Sequence, residues 1–297
     1  MKKVVYLGAL LFFVAACSEE NEETTKKVEQ DIIVEDDNDD TDDSSEINDI
    51  VYIIPSPSDQ FDNLREIGGD INTSFIHDLS KASEYSTKEA IALNFGVYST
   101  DAIYMMRFDQ GKKVFTDYIS VLEKLSESLG ISQIYGEELM AEIEDVQDDP
   151  DELYDISSDN YLEVYDKLIE NDKGPELALL VAGGWIQTMH ILFETAGSFD
   201  GDMLIQDFIT NEQLVLENLK KFLSHYEDNE RIADLLVDLK KLADIYNEMD
   251  CKSTELEVQS GAKKGDVLFG GASCVFTEPV YNKMHDFVEE IRDKIIS

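Results

Sequence analysis

The sequence predicts an all-α fold, a single bundle of about eight helices with one short irregular or hairpin excursion near the C-terminus. Three observations carry this. Apolar residues recur at i, i+3, i+4 through most of residues 57–296, the period of a helix with one buried stripe. Capping residues, Gly and Pro punctuate those stretches where helices would start and stop. Only residues 252–276 break the pattern.

Val51 to Pro57 reads as extended, and Pro57 or Ser58 opens a short helix ending at Gly68-Gly69. Ser86-Thr87-Lys88-Glu89 supplies a cap and an acidic first turn for a helix to about Asp109. The stripe Val114, Tyr118, Val121, Leu122, Leu125, Leu129 marks the next helix, closed by Gly130. Ser132 to Val146 follows, then a helix from Pro150 or Asp151 to about Asn171, and one from Gly174-Pro175 to Ala196. Met203–Tyr226 and Asn229–Met249 form an antiparallel pair, and the last helix runs from Thr277-Glu278-Pro279 to about Ile296. Within the excursion, Glu255–Ser260 and Val267–Phe269 are the strand candidates. Met105-Met106 and the stripe Phe208, Leu214, Leu216, Phe222 are most simply core.

The helices from Lys88 and Pro175 are the most apolar, so they belong at the centre, where polar residues need partners. On the first, Asn94, Tyr98 and Asp101 share a face; on the second, Gln187, His190 and Glu194 share another. Gly183 and Gly184 cost the second helix about 1–2 kcal/mol of propensity together, which points to the close approach of a neighbour or a ligand. Two readings follow. The faces could meet and line a ligand pocket with Trp185 and Tyr104 nearby. The simpler reading is a satisfied hydrogen-bond network, with the glycines admitting tight helix packing. Leu93–Tyr98 and Val181–Ile186 also echo one another weakly, as two similar halves would.

The N-terminus differs from the rest. Lys2 and Lys3 precede an uncharged apolar run from Val4 to Ala16, 13 residues against the roughly 20 that a spanning helix needs. This describes a secretory signal peptide over residues 1–16. Val14-Ala15-Ala16-Cys17 resembles the lipobox of bacterial lipoproteins. That resemblance implies lipid on the Cys17 sulfur, cleavage before it and acylation of the new amino group. Several acyl chains, at about 0.8 kcal/mol per buried CH₂, make a stable anchor. Residues 17–50 then read as a disordered acidic tether. Ser18–Ile50 holds 15 Asp and Glu against two Lys, with no aromatic residue, Gly or Pro. Such a segment buries too little apolar surface to offset the entropy of ordering. It lacks the Gly that an EF-hand loop requires. Ser18-Glu19-Glu20-Asn21-Glu22-Glu23 resembles the acidic stretch behind the lipidated cysteine of surface-exported Bacteroidota lipoproteins. It implies an outer-membrane protein exposed at the cell surface, with the periplasmic face as the alternative.

The net charge is −41, and −30 of it falls on residues 51–297, the expected helical domain. Such a surface repels phosphate backbones and excludes nucleic acid as a partner. It also disfavours direct adhesion to anionic lipid, leaving the lipid anchor as the membrane contact. With Cys17 lipidated, Cys251 and Cys274 remain as a pair in an exported chain, which implies a disulfide at the base of the excursion.

His77, His190, His225 and His285 are scattered, and no HExxH, Cys/His zinc spacing, GxSxG or phosphate loop appears. No metal, cofactor or catalytic residue is therefore assigned. The lipobox, the tether, the segment Lys88–Asp101 and the segment Val288–Ile295 together resemble a group of uncharacterised Bacteroidota lipoproteins. The resemblance implies envelope location and all-helical architecture. The expected function is a membrane-anchored, non-enzymatic binding module for a small ligand or partner protein. The alternative is a hydrolase whose site assembles from distant helices.

Overall fold

The structure, a computed structural model, describes residues 54–108, 111–146, 148–253 and 272–297. The expected signal peptide and tether lie outside the described residues, as do the strand candidates Glu255–Ser260 and Val267–Phe269.

Nine α-helices occur among the described residues: α1 Pro57–Glu66, α2 Lys88–Arg107, α3 Gly111–Leu129, α4 Glu137–Asp145, α5 Pro150–Glu170, α6 Gly174–Ala196, α7 Met203–Ser224, α8 Glu230–Tyr246 and α9 Glu278–Ile296. Two short strands, β1 Asp250–Ser253 and β2 Ala272–Val275, form an antiparallel pair between α8 and α9. This is the all-α bundle with one excursion that the periodicity predicts.

Local chemistry sets the helix boundaries. Ser56 and Asp59 form a reciprocal capping box ahead of Pro57. The Thr87 hydroxyl accepts from the Ala90 amide at 3.1 Å and starts α2. Gly130 ends α3 with φ +68°, a conformation that costs glycine little. The stretch 132–146 is not one helix. A 3₁₀ turn covers Ser132–Tyr135, and Gly136, extended at ψ −172°, separates it from α4.

The two apolar helices α2 and α6 pack on each other along their length and carry the centre of the bundle. Sixteen consecutive residues of α2, Ile91–Met106, are buried, and Leu177–Phe193 of α6 are buried throughout. α6 is long and apolar enough to cross a membrane by length and composition, but 94% of its most apolar window lies inside the protein. It serves here as the central core helix. The crossing depends on glycine. A Cβ on Gly96 would lie 2.0 Å from the Leu180 carbonyl oxygen, and one on Gly183 would lie 2.0 Å from that of Leu93. The two weakly similar segments are thus each other's packing partners.

α7 buries Ile205, Ile209, Glu212, Leu216, Leu219 and Leu223 on one stripe. Leu214, expected in the core, is 70% exposed. It falls two residues from Glu212 and from Leu216, which turns it away from that stripe. Met105, Met106, Leu216 and Phe222 are buried, and Phe208 is partly buried.

β1 and β2 place Cys251 directly opposite Cys274, and the two are disulfide-bonded with Cα atoms 4.0 Å apart. The bridge ties the start of α9 to the end of α8. At its other end, the terminal carbonyls of α9 are capped by other elements. Arg231 donates to Lys294 O at 3.1 Å, Asn94 Nδ2 to Ile295 O at 2.8 Å, and Tyr85 OH to Ile296 O at 3.2 Å.

Candidate functional site

α6 and α9 run antiparallel and meet through polar side chains at three successive levels. Arg292 Nε donates to Gln187 Oε1 at 2.7 Å. His190 Nδ1 lies 2.5 Å from Glu289 Oε1. His285 Nε2 lies 3.0 Å from Glu194 Oε1. The spacing explains the match. Residues 187, 190 and 194 share one stripe of α6, and 285, 289 and 292 share one stripe of α9. Steps of three and four taken in opposite directions keep each residue opposite its partner.

Burial grades along this ladder. His190 is 8% exposed in its side chain, His285 25%, Glu289 32% and Glu194 34%, so the Glu194 end opens toward solvent. The His285 ring stacks on Phe193, with centroids 5.2 Å apart and planes 5° from parallel. One ligand atom from each of His190, Glu194 and Glu289 lies within 4.8 Å of the others, so these three residues could hold a metal ion.

At the inner end the ladder joins α2. Gln187 Nε2 donates to Asp101 Oδ1 at 2.7 Å, and the His77 amide donates to Asp101 Oδ2 at 2.8 Å. Asp101 has no exposed surface. Burial pushes its carboxyl up to about 7, against the opposing pull of the His77 amide, the Arg292 charge and the Gln187 amide. Burial holds the His77 ring down at about 4, and the Arg292 charge adds to this. For Glu289 burial acts upward, but the bond to His190 and the charges of His190, Arg292 and His285 outweigh it and leave the carboxyl below its ordinary value.

The space between the two polar faces is occupied by the chain itself. The loop before α2 lies across them, and its backbone takes their hydrogen bonds. The Phe75 carbonyl accepts from Gln187 Nε2 at 3.1 Å and from His190 Nε2 at 3.0 Å. The Asn72 amide donates to Tyr104 OH at 2.9 Å, and Tyr98 OH donates to Asp78 O at 2.9 Å.

The seven predicted ligand residues therefore divide. Asp101 and Gln187 bond directly, and His190 joins them through the Phe75 carbonyl. Glu194 sits further out, with His285. Asn94 caps the end of α9, and Tyr98 holds the loop. Trp185 points elsewhere, donating from Nε1 to Glu212 Oε2 at 2.9 Å. Gln60 Nε2 donates to the other Glu212 oxygen at 3.0 Å, and burial pushes that carboxyl upward.

The three α9 partners, His285, Glu289 and Arg292, were not predicted. A signal for two of them exists in the sequence. His190 and Glu194 are four residues apart, and His285 and Glu289 repeat that spacing.

A separate groove of about 450 Å³ lies between α8 and α9, lined by Lys241, Glu248, Lys283 and Glu290 over Ile245 and Phe287. Its rim mixes both signs of charge. Comparison with protein-family models, curated proteins and solved structures finds no match to this chain.

Proposed function

We propose that this chain is the precursor of an outer-membrane lipoprotein, anchored through Cys17 and exposed at the cell surface, whose helical domain is a non-enzymatic binding module. The anchoring half of the reading rests on Val14-Ala15-Ala16-Cys17 behind a short apolar run, and on its resemblance to Bacteroidota lipoproteins. The non-enzymatic part of the reading is supported by one observation above the rest: both ring nitrogens of His190 are engaged, Nε2 by the Phe75 carbonyl and Nδ1 by Glu289. A general base needs a nitrogen within reach of the proton it abstracts. Asp101 is equally committed, and among the described residues no nucleophilic hydroxyl or thiol bonds to either group. The partner is a small ligand or a protein, and the −30 charge on residues 51–297 favours cationic surfaces.

The anchor is tested by fractionating cells that express the full chain or its Cys17→Ala variant, with a fatty-acid label and protease treatment of intact cells. Wild type should label, sediment with the outer membrane and be cleaved from outside. A Cys17→Ala chain that still labels and sediments would end the lipoprotein reading. The binding half is tested with a panel of ester, peptide, phosphoester and glycoside substrates. Turnover that disappears in Asp101→Asn or His190→Gln would replace it with the hydrolase reading.

A further inference from the structure

The structure assigns a second property to this domain, independent of its anchoring and of any partner: a site for one divalent transition-metal ion, held by His190 Nδ1, Glu194 and Glu289 where α6 meets α9.

The partners of His190 fix its tautomer. Its Nε2 faces the Phe75 carbonyl at 3.0 Å, and a carbonyl only accepts, so Nε2 carries a proton. In the neutral ring Nδ1 is then a bare lone pair. It points at a carboxylate oxygen 2.5 Å away, which is also an acceptor. Two acceptors cannot sit that close without a positive centre between them, and at this distance it is a proton. A metal ion would replace that proton once the two donors part to ligand spacing, with Glu194 as the third donor. A backbone carbonyl fixing the far nitrogen of a ligating imidazole is the usual way such a ring is oriented.

The surroundings fit the ion. Glu194 brings a second carboxylate, so three donor atoms converge within 4.8 Å. Bonds of about 2.0–2.2 Å to imidazole and carboxylate need donors roughly 3–4 Å apart, within reach of small side-chain rotations. With neutral imidazoles the two carboxylates carry a charge that a dication neutralises. His285 holds Glu194 from behind at 3.0 Å, the second support that ligating carboxylates commonly have. One imidazole with two carboxylates suits zinc, iron or manganese. Calcium and magnesium take oxygen ligands. The partial exposure of Glu194 and Glu289 gives the ion a way in.

The test uses the full chain, purified in detergent through a tag free of histidine, stripped with EDTA and titrated with Zn²⁺ by calorimetry and by metal analysis after dialysis. Wild type should hold one zinc per chain, well above the weak background of its acidic surface. Glu194→Gln preserves volume at a one-third exposed position and is the variant least able to disturb folding. It should weaken zinc at least tenfold, as should Glu289→Gln and His190→Gln. His285→Gln, a positioning residue, should weaken it less, and Co²⁺ should give a visible spectrum in wild type that Glu194→Gln lacks. Glu137→Gln with Glu138→Gln, on the exposed first turn of α4, should change nothing. Equal stoichiometry and affinity in wild type and in folded Glu194→Gln would overturn the assignment, as would no tight zinc in wild type.

Discussion

The backbone amide of His77 donates to Asp101 Oδ2 at 2.8 Å, which ties the loop before α2 to the middle of that helix. The two residues titrate in opposite senses. Asp101 is raised to about 7, so its contribution to stability is full below the ordinary carboxylate range and is lost as pH rises through 7. His77 is lowered to about 4, so its contribution is present above about 6.5 and is lost as pH falls toward 4. Between those limits the two oppose one another. Asp101→Asn removes one side. The stability of the variant relative to wild type should rise with pH between 4 and 7, by up to about 4 kcal/mol. Glu212 is also raised, but it is common to both proteins, so the difference isolates Asp101. Urea unfolding at four pH values reads it out, and parallel profiles would remove the buried carboxyl from the account.

The α2–α6 crossing should rank its glycines. Added methyls at Gly96 and Gly183 meet backbone oxygens at 2.0 Å, which cannot move without parting the helices. Overpacking of this kind costs about 1–3 kcal/mol, more than the roughly 1 kcal/mol that Ala gains in helix propensity. At Gly184 the nearest atoms are the Thr100 and Tyr161 hydroxyls, at 3.0 and 3.3 Å, and these can yield. Melting temperatures should therefore fall clearly for Gly96→Ala and Gly183→Ala and least for Gly184→Ala. The reverse order would deny that backbone approach sets the crossing.

Helix positions were legible because capping, periodicity and glycine act locally: Thr87, Pro150, Pro175 and Gly130 do in the structure what their types suggest. That Asp101 and Gln187 would need partners was legible too, from their place in apolar helices. Which partners they found was not. The Phe75 carbonyl and the His77 amide belong to the backbone, and every residue carries those groups. No side chain announces that this loop fills the space. Glu289 is hidden in the sequence for another reason. It lies 99 residues from His190, among many carboxylates, and only the repeated four-residue step from His to Glu singles it out.

The Cys251–Cys274 bridge joins residues 23 apart, a loop worth about 3 kcal/mol in the chain-entropy account. It lies in the two-stranded excursion, outside the α2–α6 core. Reduction should therefore lower the melting temperature while leaving far-ultraviolet helicity intact below it. Thiol titration of denatured protein should find one free thiol per unlipidated full chain before reduction and three after. Three thiols before reduction would abolish the bridge.

Glu212 offers the sharpest contrast between two substitutions at one site. Glu212 is 2% exposed and its carboxylate accepts from Trp185 Nε1 and Gln60 Nε2, with no cation among its partners in the described residues. Gln60 Oε1 beside it is buried and without a hydrogen bond. Glu212→Ala would leave the indole N–H and the Gln60 amide unpaired, at about 1–3 kcal/mol for each orphaned group. Glu212→Gln keeps an acceptor for the indole. Its own amide can donate to Gln60 Oε1 if the Gln60 amide turns over, an orientation that carries little steric cost. It also removes the cost of holding a charge in the core, so it should equal or exceed wild type in stability at pH 8, while Glu212→Ala falls well below. Trp185 is the only tryptophan, so its emission reports both unfolding and any wetting of this site. Equal losses for the two variants would show that the charge itself, and not its hydrogen bonds, holds α1, α6 and α7 together here.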